Sequence, residues 1–355
     1  MTLAAPITTA NEAALNSSLA ALHNQQWFKL IGGGSLTDAP LLAQLAVVYG
    51  AAGCPMVDLS CDVGVIDAVE KAIHHYLPKE QRPALMVSLP LDPDPHFAQL
   101  ELKVDDCILC GACVPVCPVE ALALEPNELL VNNHRCYGCN RCVPVCPTDA
   151  LILHPLHPNA QALLPALNHP AVSAVEIHTT RADAALWPEF VASFGDALQG
   201  KLLSLCFRPS EADPALYVPL IQACYQFTKR YTPQLPLVLQ LDGKPMTGSS
   251  DPCASLPAIE GAQQFFAVAN QSPWLTQAIA SQHMIITLSG GINAHTPPLV
   301  QQAGLTADIA GGGLGTVARQ AVWTHLADSI EALWADEPQR LAAIREAKRL
   351  MQPFV

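Results

Sequence analysis

The sequence CILCGACVPVCP at residues 107–118 is repeated as CYGCNRCVPVCP at residues 136–147, and this pair decides how the middle of the chain folds. Each copy has three cysteines at two-residue spacings, a fourth cysteine three residues further on, and then a proline. The copies begin 29 residues apart and align residue for residue, which indicates an internal duplication. Two-residue spacings let three thiolates of one tight loop reach three irons of a cubane. The repeat therefore predicts iron–sulfur chemistry.

In the bacterial ferredoxin pattern, the fourth cysteine of each run ligates the cluster of the other run. We expect this fourth cysteine to begin a short helix. Zinc sites also use C-x2-C pairs, but zinc does not require the third close cysteine, the proline or the duplication, so we disfavour zinc. The sequence thus predicts two [4Fe-4S] clusters, one held by Cys107, Cys110, Cys113 and Cys146, and the other by Cys136, Cys139, Cys142 and Cys117.

The composition of the 355 residues limits the classes of protein that fit. A formal net charge of -13 disfavours nucleic acid as a partner, because phosphate binding needs clustered Lys and Arg. The mean hydropathy is +0.25, yet the most apolar stretch, Leu42 to Leu59, contains Gln44, Pro55 and Asp58, so we expect no membrane span. Residues 1–20 resemble neither a secretory signal nor a transit peptide, so we expect a cytoplasmic protein.

Outside the cysteine repeats, short apolar runs alternate with amphipathic helical stretches, which is typical of a parallel sheet covered by helices. The predicted strands are Phe28 to Ile31, Met56 to Leu59, Ala84 to Leu89, Ala174 to His178, Leu202 to Phe207, Leu237 to Leu241, Met284 to Leu288 and Asp308 to Ala310. The predicted helices are Ala39 to Ala52, Val63 to Tyr76, Asn159 to Leu167, Ala184 to Leu198, Pro214 to Lys229, Ala258 to Ala269, Pro298 to Ala303 and Thr316 to Trp334.

About eight β/α units match a TIM barrel in number and size. The predicted fold is therefore an α/β, TIM-barrel-like (β/α)8 scaffold with an inserted 2[4Fe-4S] ferredoxin domain of the α+β class. The boundaries are 1–92 for the first part of the barrel, 93–155 for the insert and 156–355 for the rest of the barrel and the C-terminal helices. A doubly wound open sheet remains the alternative, because counting strands does not show closure. In a barrel, the insert would follow the third strand and place the clusters beside the mouth.

Glycines follow the last two predicted strands. In barrels, these two loops often hold a phosphate through backbone amides at a helix N-terminus. The candidate residues for FMN or another phosphate-bearing ligand are Gly290, Gly291, Gly312, Gly313, Gly315 and Thr316, with Arg319 as a counter-charge. Glycines also serve tight turns, so the ligand is one of two interpretations.

Polar residues at the predicted strand ends are further candidates for ligand binding, namely Lys29, Glu176, Asp242 and Lys244. Glu176 and His178 share one strand face, because side chains alternate along a strand. Lys29 with Asp58 or Glu176 is either a buried ion pair that orders the barrel or part of a binding site. We expect the cysteines outside the repeats, such as Cys206, to be small buried hydrophobic residues, with Cys61 and Cys253 the ones to test for reactivity.

The segments WFKLIGGGS at Trp27, DPHF at Asp94, EIHT at Glu176, LDGKPMTG at Leu241 and GGGLGTVARQ at Gly311, together with VDLS and SGGIN, resemble the light-dependent period protein family of cyanobacteria. The resemblance covers nearly the whole chain. It implies an iron–sulfur protein that feeds light-driven redox state into the circadian clock and associates with clock or signalling proteins. It implies no enzymatic activity.

Two functions follow from these observations. The first is a redox sensor whose clusters follow the quinone or ferredoxin pool. The second is an oxidoreductase whose clusters pass electrons to a flavin or substrate in the barrel mouth.

Overall fold

The computed structural model describes residues 9–156, 159–244 and 251–352 of the chain. Within these ranges the strands are β1 (Trp27–Ile31), β2 (Met56–Ser60), β3 (Ala84–Pro90), β4 (Ala98–Leu102), β5 (Leu122–Glu125), β6 (Glu128–Val131), β7 (Leu151–Pro155), β8 (Val172–His178), β9 (Leu202–Phe207), β10 (Leu237–Asp242), β11 (Met284–Ser289) and β12 (Ile309–Leu314). The α-helices are α1 (Thr9–His23), α2 (Ala39–Ala52), α3 (Val63–Tyr76), α4 (Ala160–Leu167), α5 (Trp187–Leu198), α6 (Pro214–Tyr231), α7 (Leu256–Ala269), α8 (Pro273–Ala280), α9 (Thr296–Gln302), α10 (Thr316–Val322), α11 (Ile330–Ala335) and α12 (Glu337–Met351).

Eight parallel strands close into a barrel in the order β1-β12-β11-β10-β9-β8-β3-β2. This closure confirms the TIM-barrel-like fold and rules out the open sheet. The strands form apolar runs in the sequence because helices cover their outer faces while their inner faces meet inside the barrel. Strands β2, β9, β10 and β11 are buried along their whole length.

Helix α1, which the sequence analysis did not predict, covers the N-terminal ends of the barrel strands. Its Leu15 and Leu22 join an apolar cluster with Trp27 and Met86, which lie at that end of the barrel. The indole N–H of Trp27 donates a hydrogen bond to Ser18 Oγ at 2.9 Å. The polar interior of the barrel therefore faces the opposite end, where the strands finish.

The insert lies between β3 and α4, after the third barrel strand as predicted. Its outer strands β4 and β7 pair antiparallel, and β5 and β6 form a hairpin between the two cysteine runs. The fourth cysteines, Cys117 and Cys146, lie in turns and not at the start of short helices, so that expectation was wrong. Each is followed by a proline and then by a left-handed residue, Glu120 (φ 53°) or Asp149 (φ 52°), and a left-handed residue ends any helical path.

The predicted helix Thr316 to Trp334 is also wrong, because the chain there forms α10, a short 3-10 turn and α11. Ser329 starts α11 as its N-cap, with its side chain accepting a hydrogen bond from the Ala332 N–H at 3.2 Å. The predicted eighth strand was too short, since Gly311 to Gly313 belong to β12 and not to a loop after it. At Gly311, a Cβ atom would lie 1.9 Å from the Trp27 carbonyl oxygen, so only glycine lets β12 approach β1 this closely.

Candidate functional site

The first cysteine group surrounds one small cavity in the insert. Its volume is about 20 Å³, and the cysteines in its wall are Cys107, Cys110, Cys113 and Cys146. Three of them come from the first sequence run, while Cys146 comes from the second. The structure therefore places the fourth cysteine of one run beside the first three of the other.

In the second group, three cysteines come from the second sequence run and the fourth comes from the first run. Burial raises the pKa of Cys142 to about 12, and the neighbouring thiols of Cys139, Cys136 and Cys117 add to that increase. The pKa of Cys136 is raised in the same way, first by burial and then by Cys139 and Cys117. Cys117, from the first run, thus lies with the three leading cysteines of the second.

The two runs share their backbone conformation as well as their sequence. Left-handed residues occur at Leu109, Gly111 and Glu120 in the first run and 29 positions later at Gly138, Asn140 and Asp149 in the second. The Ala121 N–H donates to Cys117 Sγ at 3.2 Å, and the Ala150 N–H donates to Cys146 Sγ at 3.3 Å. Burial opposes ionisation of Cys146, but hydrogen bonds from Thr148, Ala150 and Leu151 outweigh burial and lower the pKa of this thiol.

The second cysteine group lies against the barrel mouth. The Tyr137 hydroxyl forms a hydrogen bond with Thr316 Oγ1 at 3.0 Å, and the Tyr137 ring lies 4.3 Å from the Arg319 guanidinium carbon. A Cβ atom at Gly138 would lie 2.9 Å from the Ala98 carbonyl oxygen, so this loop sits tightly on β4. The first group faces solvent, where Ile108 is 63% exposed. The insert therefore joins the barrel through its second cysteine group.

A buried polar network fills the barrel interior below the mouth. Lys29 contacts Glu176 and lies 3.8 Å from Asp58. Glu176 also accepts hydrogen bonds from Ser204 Oγ at 3.0 Å and Gln240 Nε2 at 2.8 Å. Burial opposes ionisation of Glu176, but Lys29 and His178 outweigh it and hold the pKa of Glu176 below its usual value. For Asp58, burial outweighs Lys29 and raises the pKa to about 6.

A cavity of about 80 Å³ lies above this network, at the carboxyl ends of the strands. Several predicted candidates line it, namely Asp242, Gly290, Gly291, Gly313, Gly315, Thr316 and Arg319. Tyr137, His96, His178 and Cys206 contribute to the same wall. Asp242 accepts a hydrogen bond from Ser289 Oγ at 2.7 Å.

The remaining candidates do not line this cavity. Lys29 and Glu176 lie in the network below it, and Lys244 is an exposed residue after β10. Gly312 lines a different groove, shared with Pro297 and Gln301.

The residues of the mouth do not fit FMN. A pocket for a ligand of that size encloses roughly 300–1,000 Å³, several times the volume found here. Arg319, the expected counter-charge, donates through Nη1 to the carbonyl oxygens of Ile31 at 2.8 Å and Gly32 at 2.7 Å. Its guanidinium group therefore fixes the turn after β1. We derive no flavin chemistry from this site.

Sequence analysis missed several residues that the fold brings to the mouth. The Asp94 and His96 side chains come from the loop between β3 and β4, and Asp94 Oδ1 accepts hydrogen bonds from the His96 N–H at 2.8 Å and Nδ1 at 2.6 Å. The sequence signal that could have identified this pair was the spacing D-x-H, which suits such a turn. Cys206 is buried as expected, yet its thiol lines the cavity and accepts a hydrogen bond from Gln240 Nε2 at 3.3 Å.

Of the two cysteines singled out for reactivity, Cys253 is exposed. Burial raises the pKa of Cys61 to about 12, with Asp62 adding to the increase, so its thiolate is scarce at neutral pH. No helix in the described ranges is both long and apolar enough to cross a lipid bilayer.

Comparison with known proteins identifies both parts of the chain. Residues 60–151 match the 4Fe-4S dicluster domain, and residues 166–353 match the light dependent period A C-terminal domain. The curated protein light dependent period A of Synechococcus elongatus is 31% identical over 338 residues, which cover 92% of this chain and 88% of that protein. The chain belongs to the light dependent period A family.

Solved structures add nothing to this assignment. A protein from Coccidioides immitis, described as a fructose-1,6-biphosphate aldolase, is 10% identical, with 96% of each chain covered and a TM-score of 0.43. Dihydrodipicolinate synthase from Agrobacterium tumefaciens is 11% identical, with 94% of this chain and 81% of that chain covered and a TM-score of 0.37. Both values are too low to support an argument about function.

The two matches define two parts of this light dependent period A family member that meet in space. The dicluster match includes all eight cysteines of the repeats, and the C-terminal match includes the glycines at the ends of β11 and β12. The hydrogen bond between Tyr137 and Thr316 joins one part to the other. The part that matches the dicluster domain therefore contacts the part that matches the C-terminal domain of the family.

Proposed function

We propose that this protein is an iron–sulfur redox sensor that holds two [4Fe-4S] clusters in crossed fashion. Cys107, Cys110, Cys113 and Cys146 would hold the first cluster, and Cys136, Cys139, Cys142 and Cys117 the second. The clusters follow the state of the photosynthetic quinone or ferredoxin pool, and the protein passes this state to clock or signalling proteins.

The strongest support for the clusters is the position of Cys146, which lies with Cys107, Cys110 and Cys113 around a single cavity. Crossed ligation is characteristic of bacterial two-cluster ferredoxins. The eight thiols form two sets of four, as two cubanes require. When bound, the clusters supply one-electron redox chemistry, while the chain supplies thiolates, amide donors and an apolar wall that includes Leu129 and Leu151.

The family supports sensing in preference to catalysis. The name of the Synechococcus elongatus relative refers to a period that depends on light, and the chain covers most of that relative. In the described residues, the barrel mouth lacks the volume for a flavin, and Nη1 of Arg319 is already bound to two backbone carbonyls. The exposed first cysteine group is accessible to an external redox partner, and the second group lies against the barrel.

An anaerobic redox experiment tests this function. Protein purified without oxygen is mixed with reduced ferredoxin and then with an oxidised plastoquinone analogue, and its clusters are followed by low-temperature EPR. We expect reduced-cluster signals to appear in the first step and to be lost in the second. Clusters that stay oxidised with reduced ferredoxin, or stay reduced with the quinone, would contradict the proposed sensor.

A further inference from the structure

We propose that the barrel mouth holds one divalent transition-metal ion, separate from the clusters, through Asp94, His96 and His178. Donor atoms from these three side chains lie within 4.8 Å of one another. One carboxylate oxygen and two imidazole nitrogens form a donor set that suits Zn²⁺ or Fe²⁺. This inference does not depend on the redox-sensing function.

The geometry of the three residues is already partly fixed. The Asp94 carboxylate is held beside His96 by the backbone N–H of that residue, at 2.8 Å. The His96 and His178 rings lie 4.8 Å apart between centroids. Ligands on a tetrahedral ion lie roughly 3.3 Å apart, so small side-chain rotations bring all three donors to bonding distance. The hydrogen bond from His96 Nδ1 to Asp94 then gives way to the ion, which displaces its proton.

A second carboxylate supports His178 from behind. Glu176 Oε1 lies 3.0 Å from His178 Nε2. Metal-ligating histidines usually give their other ring nitrogen to a carboxylate in this way, which fixes the orientation of the ring. Glu176 is itself held by Lys29, Ser204 and Gln240, so the support is rigid.

The charges of the mouth also favour a cation. Four carboxylates are buried in this region, on Asp58, Asp94, Glu176 and Asp242, each 7% exposed or less. Lys29 contacts Glu176 and lies near Asp58, which leaves Asp94 and Asp242 facing the two histidines. Buried charges are paired or coordinate metals. A divalent ion bound by His96 and His178 would take the place of the imidazole protons as the positive charge beside these carboxylates.

The cavity gives the ion an open coordination position. His96, His178 and Asp242 line it, so water or a small ligand can reach an ion held there. Three protein ligands and an open fourth position distinguish reactive metal sites from structural ones. The loop that carries Asp94 and His96 also contacts the second cysteine group, since a Cβ at Gly138 would lie 3.2 Å from the Pro95 carbonyl oxygen.

Zinc binding to the intact holoprotein tests the site, because zinc is distinguishable from cluster iron. Untagged protein with its full iron content is incubated anaerobically with one equivalent of Zn²⁺, desalted and analysed for metals. We expect about one zinc per chain at unchanged iron content. We expect the Zn K-edge spectrum to show N/O ligands at about 2.0–2.1 Å and no sulfur at about 2.3 Å.

Two matched histidine variants complete the test. His96→Gln should raise the zinc dissociation constant by roughly tenfold or more, since even indirect partners of metal ligands change affinity by 10–100-fold. His154→Gln is the control, because His154 is exposed, pairs with Glu101 on β4 and does not line the mouth cavity. A weakened control, an unchanged zinc dissociation constant in His96→Gln, sulfur ligation, or no zinc on the wild-type protein would each overturn the proposal.

Discussion

Lys29 is a fully buried cation between two carboxylates. Its side chain has no solvent exposure, and it contacts Glu176 and lies 3.8 Å from Asp58. Burial lowers the pKa of Lys29, but the two carboxylates outweigh burial and leave the pKa above its usual value. Removing one member of such a pair leaves an uncompensated buried charge.

We therefore expect Lys29→Met to lower the free energy of unfolding by about 3–5 kcal/mol. The double variant Lys29→Met with Glu176→Gln should recover part of this loss, because it removes both charges. Urea unfolding of the two single variants and the double variant measures the coupling. A double variant whose loss equals the sum of the single losses would show that the pair does not order the barrel.

Lys201 is a buried amine of a different kind, because no carboxylate of the described residues compensates its burial. Its Nζ donates to the Val172 carbonyl oxygen at 2.5 Å, and burial lowers its pKa to about 8. The unfolded chain, with a lysine pKa of about 10.4, binds more protons than the folded chain between those values. Stability should therefore rise with pH across this window, and the penalty is fully present below about pH 8.

Lys201→Met should remove this dependence. At pH 7 we expect a gain of about 1–2 kcal/mol, since the relief of desolvation exceeds the loss of one hydrogen bond. The measurement is unfolding of both proteins at several pH values from 7 to 10, with Lys71→Met on the exposed face of α3 as the control. A wild-type stability that falls between pH 8 and 10 more steeply than that of Lys201→Met would reverse the expected sign.

Strand β12 depends on a glycine where it meets β1. Gly311 has φ 154°, and a Cβ atom there would lie 1.9 Å from the Trp27 carbonyl oxygen. Gly304 also has positive φ, at 74°, but a Cβ there would meet nothing within 4 Å. Substitutions at the two positions therefore separate the cost of a positive φ from the cost of a steric clash.

We expect Gly304→Ala to cost about 1 kcal/mol through its left-handed backbone. Gly311→Ala should cost about 3 kcal/mol or more, because the backbone of β1 must move. Thermal unfolding of both variants against the wild-type protein checks the difference. Equal losses would mean that the approach of β12 to β1 is looser than the structure shows.

Most elements of the barrel were predictable, and the failures have specific causes. Runs such as Leu202 to Phe207 are buried on both sides, so the sequence alone marks them as strands. The predicted eighth strand ends before Gly311 because glycines usually mark loops, whereas here three glycines in β12 allow close strand contact. The predicted helix after it runs past Ser329, although the side chain of Ser329 caps the start of a separate helix, α11.

The candidate site was also predictable only in part. Spacing and duplication predict the cysteines, because both properties are local in the sequence. The meeting of Tyr137 with Thr316, or of His96 with His178, depends on closure of the barrel and docking of the insert. No local pattern encodes contacts of that range.

The whole molecule is a closed barrel with a cysteine-rich insert at its mouth. The first cysteine group faces solvent, and the second contacts the barrel through Tyr137 and Gly138. Under the proposed function, this order would let electrons pass from an outside partner to the first group and then to the second. The two proposed clusters require the exchange of Cys117 and Cys146 between the two runs.

Iron and sulfide analysis of oxygen-free protein tests that exchange most directly. The wild-type chain should contain about eight irons and eight sulfides. The double variant Cys146→Ala with Cys110→Ala should keep about four irons, because both residues would belong to one cluster. Cys146→Ala with Cys139→Ala should keep almost none. The opposite pattern, with about four irons in the second double variant and none in the first, would contradict the crossed arrangement.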